Sequence, residues 1–141
     1  MIKFERVQED IRERLPRVAE ALERDRRVLF AYLFGGAAAG KLKPLSDIDV
    51  AVYLAGTEFL AEVKLDLFEK LSDLFGTAEI DLVILNTAPV SLAGRILQKR
   101  EVLVDKEPHH RHRYESLTLR EFFDFRKKEE ALFELRYGVG R

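Results

Sequence analysis

Four side chains and a pair of glycines stand out as groups that could do chemistry together. Gly35 and Gly36 follow the apolar run VLFAYLF, and ten residues later comes Asp47-Ile48-Asp49 at the head of a second apolar run, IDVAVYL. Residues two apart on a strand point to the same face, so Asp47 and Asp49 stand side by side. Two carboxylates so placed repel each other in a dry site and become tolerable with a divalent cation between them. Hard oxygen ligands suit Mg²⁺ or Mn²⁺. Glycines at a strand end let backbone N–H groups approach phosphate oxygens. Asp81 lies in a third apolar run, EIDLVIL, and completes a three-carboxylate cluster if that strand neighbours the second. Such a set fits two-metal nucleotidyl or phosphoryl transfer. Ser46, just before the pair, either contacts substrate or serves as a turn residue.

These groups need a scaffold, and the pattern supplies one. Phe4, Val7, Ile11, Leu15, Val18 and Leu22 form a helical stripe, with Pro16 predicting two pieces or one kinked helix. Val28–Phe34, Ile48–Leu54 and Glu79–Leu85 read as strands, and residues 101–104 as a short fourth. Thr57 is the expected N-cap of a helix over 58–75 that Gly76 ends. Pro89 opens a further helix to about Lys99, and a longer one spans about 109–136. Residues 106–113, KEPHHRHR, read as the exposed connection. The expected fold is α+β: one domain over 1–141, with a small mixed sheet, helices on its outer face and an open active edge.

Composition excludes several classes. The chain has 141 residues, 47% hydrophobic and 35% charged, as a globular domain does. A formal net charge of -1 gives no global pull toward nucleic acid. Without Cys there are no disulfides or thiolate metal sites. No apolar run approaches the roughly 20 residues that span a bilayer, and the charged N-terminus is not that of a signal peptide. The expected location is the cytoplasm.

The chain resembles the polymerase-beta-type nucleotidyltransferase superfamily. Its signature is Gly-Ser, about ten residues, Asp-x-Asp, then a later Asp. The stretch DLVILNTAPVSLAGRILQKREVLVDKE is similar to the minimal nucleotidyltransferases that pair with HEPN-domain proteins. The resemblance runs over roughly residues 16 to 130. It implies ATP as substrate and Mg²⁺ or Mn²⁺ held by Asp47, Asp49 and Asp81. It implies phosphates cradled by Gly35 and Gly36, and a HEPN ribonuclease toxin as partner. In that group the transferase silences the toxin by moving AMP to one of its tyrosines. Two positions depart from the pattern: Gly36 replaces the usual Ser, and Ala39 stands where an Arg is common, with Lys41 or Lys43 as substitutes for the charge. Two other readings stay open: a protein that has lost catalysis and neutralises its partner by contact, and an enzyme acting on a small molecule or an RNA end.

Other features have plainer readings. His109 and His112 stand at helical spacing, but without a third ligand His109, His110 and His112 read as solvated surface. Arg24, Arg26 and Arg27 read as a solvated helix end. Phe122, Phe123 and Phe125 read as packing of an amphipathic helix, within the chain or against a second subunit in a homodimer, rather than as a platform for bases.

Overall fold

In a computed structural model the chain is described over residues 3–38 and 48–138. The element order is α1 (Lys3–Arg24), β1 (Val28–Phe34), the single turn α2 (Gly35–Ala38), β2 (Ile48–Leu54), α3 (Leu60–Phe75) and β3 (Ile80–Ile84). A 3-10 turn (Leu85–Thr87), α4 (Val90–Gln98), β4 (Arg100–Asp105) and α5 (Pro108–Tyr137) follow. The sheet is mixed, with strand order β3-β2-β1-β4. β1 runs antiparallel to β2 and β4, while β2 and β3 are parallel. The α+β expectation therefore holds.

The strands read as near-continuous apolar runs because both faces of the sheet are covered. On one face Val50, Val52 and Leu82 pack with Ile11, Leu15, Val18 and Leu22 of α1 and Leu67 and Leu71 of α3. On the other, Phe30, Tyr32 and Ala51 pack with Ile96 and Leu97 of α4 and with Tyr114 and Leu119 of α5. Helices thus lie on two faces, not only the outer one. Gly94 lets α5 pack closely on α4: a Cβ there would strike the Phe122 ring.

Two local expectations are corrected, and the choice left open at Pro16 is decided: α1 is one helix through the proline. Proline removes one backbone bond, and the stripe Ile11, Leu15, Val18, Leu22 holds both halves against the same core. Thr57 is not the cap of α3. The helix begins at Leu60, and Phe59 occupies the cap with left-handed φ 57° and ψ 41° and no side-chain cap bond. Residues 108–113 are not a connection but the first turns of α5. Pro108 presets the helical φ there, and Arg111 ties that end down by ion pairs to Asp105 and Glu115, each 2.9 Å. His110 accordingly packs against Tyr53, 5.0 Å between ring centroids, while His109 and His112 are exposed.

Two polar devices close the layers. Asn86 donates to the Leu54 carbonyl (2.9 Å) and accepts from its N–H (2.8 Å), a side-chain rung that continues β3 along β2. Asp25 binds Arg27 at 2.7 Å and Lys70 at 3.0 Å, and Arg27 reaches Asp66 at 2.6 Å. Hydrogen bonding from Arg27 first, then Lys70, holds the Asp25 carboxyl far below the usual range against the effect of burial. Of the three arginines read as a solvated helix end, Arg27 is therefore built into the α1–β1 turn, while Arg24 pairs with Glu20 on the surface.

Candidate functional site

The site grows from one rung of the sheet. Arg100 of β4 lies opposite Phe34 of β1, Phe34 opposite Asp49 of β2, and Asp49 opposite Asp81 of β3. The condition set by the sequence is met: the third strand neighbours the second, and its aspartate is the direct register partner of Asp49. Neighbouring strands stand about 4.8 Å apart, so the two carboxylates project side by side from adjacent strands. By alternation they share a face with Ala51, Tyr53 and Val83, the face covered further along by α4 and α5. Asp49 is partly buried and Asp81 exposed, so the pair opens to solvent at the β3 side. Like charges directly opposite each other destabilise a sheet. A cation between them reverses that sign, and two carboxylates are hard donors of the kind Mg²⁺ or Mn²⁺ takes.

Gly35 explains itself at this rung. It follows β1 directly, has φ +68°, and a Cβ built on it would run into Oδ2 of Asp49. Any side chain there is strained in backbone and collides with the carboxylate, so glycine is required twice over. Gly36 lies inside the α2 turn and is not among the positive-φ glycines. Asp47, Ser46, Ala39, Lys41 and Lys43 lie outside the described residues. Among the described residues no group of three metal-ligating side chains forms, and His109, His110 and His112 make none.

Sequence reasoning missed the support beneath this rung. Tyr32, fully buried, donates to Oε2 of Glu115 at 2.7 Å. Arg100 and Arg111 each reach the same oxygen at 2.9 Å. Arg100 also donates to the Leu97 carbonyl at 2.8 Å, and its guanidinium lies 5.5 Å from the Tyr32 ring centroid. Burial would raise the Glu115 carboxyl. The hydrogen bond from Tyr32 and the two arginines outweigh it and hold the group below its usual range. Burial, then Glu115, pushes the Tyr32 hydroxyl well above the ordinary tyrosine range. This knot fixes α5 to β1 and β4, and Arg100 carries it onto the Asp49 rung. Its only trace in the sequence was the Tyr32 hydroxyl inside the apolar run VLFAYLF.

The profile of a family described as polymerase beta, nucleotidyltransferase, matches residues 17–109. No curated protein matches the chain. Among solved structures, a chain of a toxin–antitoxin complex with AMP-PNP superposes with TM-score 0.69 at 24% identity, covering 84% of this chain and 94% of that one. A chain of the complex between tri-AMPylated Shewanella oneidensis HEPN toxin and MNT antitoxin gives TM-score 0.64 at 20% identity, covering 90% and 96%. A chain of the MntA–HepT toxin–antitoxin complex gives 0.66 at 21%, covering 87% and 96%. Likeness at these identities establishes the fold.

Proposed function

The chain belongs to the polymerase beta nucleotidyltransferase family, and from that premise we propose that it moves AMP from ATP to a protein hydroxyl, a tyrosine of a HEPN-type ribonuclease, and so acts as its antitoxin. The observation that carries the reading is Asp49 opposite Asp81, with Gly35 closed against Asp49. The AMP-PNP and AMPylated-toxin complexes among the structural neighbours favour ATP and a protein acceptor. The reading takes residues 1–141 as one nucleotidyltransferase domain working in the cytoplasm. No helix among the described residues is long and apolar enough to cross a membrane.

In this reading Asp47, Asp49 and Asp81 hold Mg²⁺ or Mn²⁺, which neutralises phosphate charge and lowers the pKa of the attacking hydroxyl. Backbone N–H groups at Gly35 and Gly36 receive phosphate oxygens, and Ser46 adds a contact beside the pair. The acceptor oxygen attacks the α-phosphorus of ATP, its proton passes to Asp81, and the bond to the bridging oxygen breaks to release pyrophosphate. The AMP ester adds bulk and negative charge to the ribonuclease and repels an RNA backbone.

The test is the intact mass of a HEPN-type ribonuclease, sought first in the neighbouring reading frame, after incubation with this chain, ATP and Mg²⁺. We expect gains of about 329 Da per AMP, a figure from standard chemistry, absent with Asp49→Asn. One observation favours a second reading. Gly36 lacks the hydroxyl usual in the family, and Ala39 lacks the Arg, so catalysis is weakened or replaced by neutralisation through contact. Inhibition without a mass gain, unchanged by Asp49→Asn, would establish that instead. Gly36 sits in a helical turn without positive φ, so a side chain there brings no backbone strain. Restoring a charge-assisted hydrogen bond contributes about 1.5–3 kcal/mol. Gly36→Ser should therefore raise the initial transfer rate about tenfold or more, and a folded variant with no gain counts against weakened catalysis.

A further inference from the structure

β3 forms one edge of the sheet, and among the described residues no strand lies beyond it. Its sequence, IDLVI, carries neither the proline nor the lysine that usually blunts a free edge. The Ile48 N–H bonds to the Glu79 carbonyl at 3.0 Å, and Ile48 is in register with Ile80. In a parallel ladder of that phase, Asp81 and Val83 turn their backbone groups to β2, and Leu82 and Ile84 turn theirs outward.

The space beside that edge has a definite shape. A groove of about 370 Å³ runs along β3 from Asp81 to Ile84. Leu60, Ala61 and Lys64 of α3 form one wall, and Ala88 and Leu92, at the start of α4, form the other. α3 and α4 belong to opposite layers of the fold. The groove is therefore the gap between the two helical layers just past the last strand. Layers that sandwich a sheet leave room there for one more strand, at about 4.8 Å from the edge. Its floor is a row of backbone donors and acceptors, its walls are mostly apolar, and Lys64 supplies one positive charge.

We propose that this slot takes an extended segment of the acceptor protein as an added strand on β3. The inference rests on the transfer reading above and specifies how the acceptor is held. Side chains opposite each other on neighbouring strands point to the same face, with Cβ atoms about 5 Å apart. A hydroxyl-bearing residue placed opposite Asp81 thus comes to lie beside that carboxylate, where its proton must go. Main-chain bonds supply affinity without demanding a particular sequence, and Lys64 favours an acidic or neutral neighbour in the segment.

The test follows amide exchange residue by residue, with and without the HEPN protein, alongside its mass. The Leu82 and Ile84 amides should slow at least tenfold on addition of the acceptor, while Asp81 and Val83, already bonded to β2, change little. Ala88→Trp, which fills the slot from one wall, should cut transfer at least tenfold and leave metal–ATP binding unchanged. Ala61→Trp does the same from the other wall if the first variant misfolds. AMP transfer at the parental rate in a filled slot, or transfer with no slowing at Leu82 and Ile84, overturns strand addition and leaves the transfer reading standing. Protection that needs only more of this chain assigns the edge to a second copy and also overturns it. No mass gain with the parent protein overturns both readings, and the mass alone shows that the fault lies with the first.

Discussion

On the proposed transfer reading, the Asp49→Asn protein should fold like its parent and transfer AMP at least about a thousandfold more slowly, a barrier increase of about 4 kcal/mol. Asparagine is nearly the shape of aspartate, so Gly35 still closes against it and the rung with Phe34 and Asp81 keeps its register. What disappears is one negative charge from a pair set on adjacent strands. With metal and ATP the parent should be stabilised by ligand binding and the variant should not. Asp81→Asn separates the roles. It lies exposed at the edge, and in the proposed reaction it receives the acceptor's proton. Its loss should reduce transfer by a similar factor while weakening metal–ATP binding less than Asp49→Asn does. Calorimetry with Mg²⁺–ATP and initial rates from intact mass read both quantities. Transfer within tenfold of the parent in Asp49→Asn would remove the site from this rung.

Glu115→Ala should destabilise the fold by about 3–5 kcal/mol. The parent side chain is 11% exposed, and its Oε2 gathers the Tyr32 hydroxyl, Arg100 and Arg111. Its removal leaves a buried hydroxyl without its acceptor and two arginines, 27% and 13% exposed, facing each other without the carboxylate. Urea unfolding at neutral pH measures the loss, and a value under about 1 kcal/mol would show the knot to be dispensable. The same group sets an acid limit. Its folded-state pKa is below the unfolded value, so its contribution is complete above the unfolded pKa and is lost as pH falls through the folded one. With an unfolded glutamate near pH 4.3, the parent should lose stability on acidification below about pH 4. Glu115→Gln should start lower and change less over that interval.

The residues of the site were legible because chemistry constrains type and spacing together. Gly35, Asp49 and Asp81 each sit at the end or start of an apolar run, and such runs predict strands. Strand adjacency was not legible: only the parallel pairing of β2 with β3 brings Asp81 opposite Asp49. Thr57 was the natural cap by residue type, yet the chain turns through Phe59 and starts the helix three residues later. The basic stretch 108–113 looked like a loop because its partners are distant in sequence or hidden by helical spacing. Asp105 and Glu115 take up Arg111, and the Tyr53 ring takes up His110. Glu115 itself gave no signal, since Tyr32 lies 83 positions away and pattern reading is blind to such a separation. Local rules therefore recovered the strands and most helices, and failed where a side chain's partner comes from another layer.

α5 is anchored unevenly. Its last buried side chain is Phe122, and every residue from 123 to 137 is exposed, Phe125, Leu132, Phe133 and Leu135 among them. The outer part is about four turns long, too short to be a secure helix in water by itself. Its unwinding disturbs neither the Glu115 knot nor the Asp49 rung, so it proceeds as a local event at a fraction of the global unfolding free energy. Among the described residues, these last turns are then expected to be cut before the rung of Asp49 and Asp81 opens. The integrity of this helical extension is thus a quantity separate from the stability of the fold.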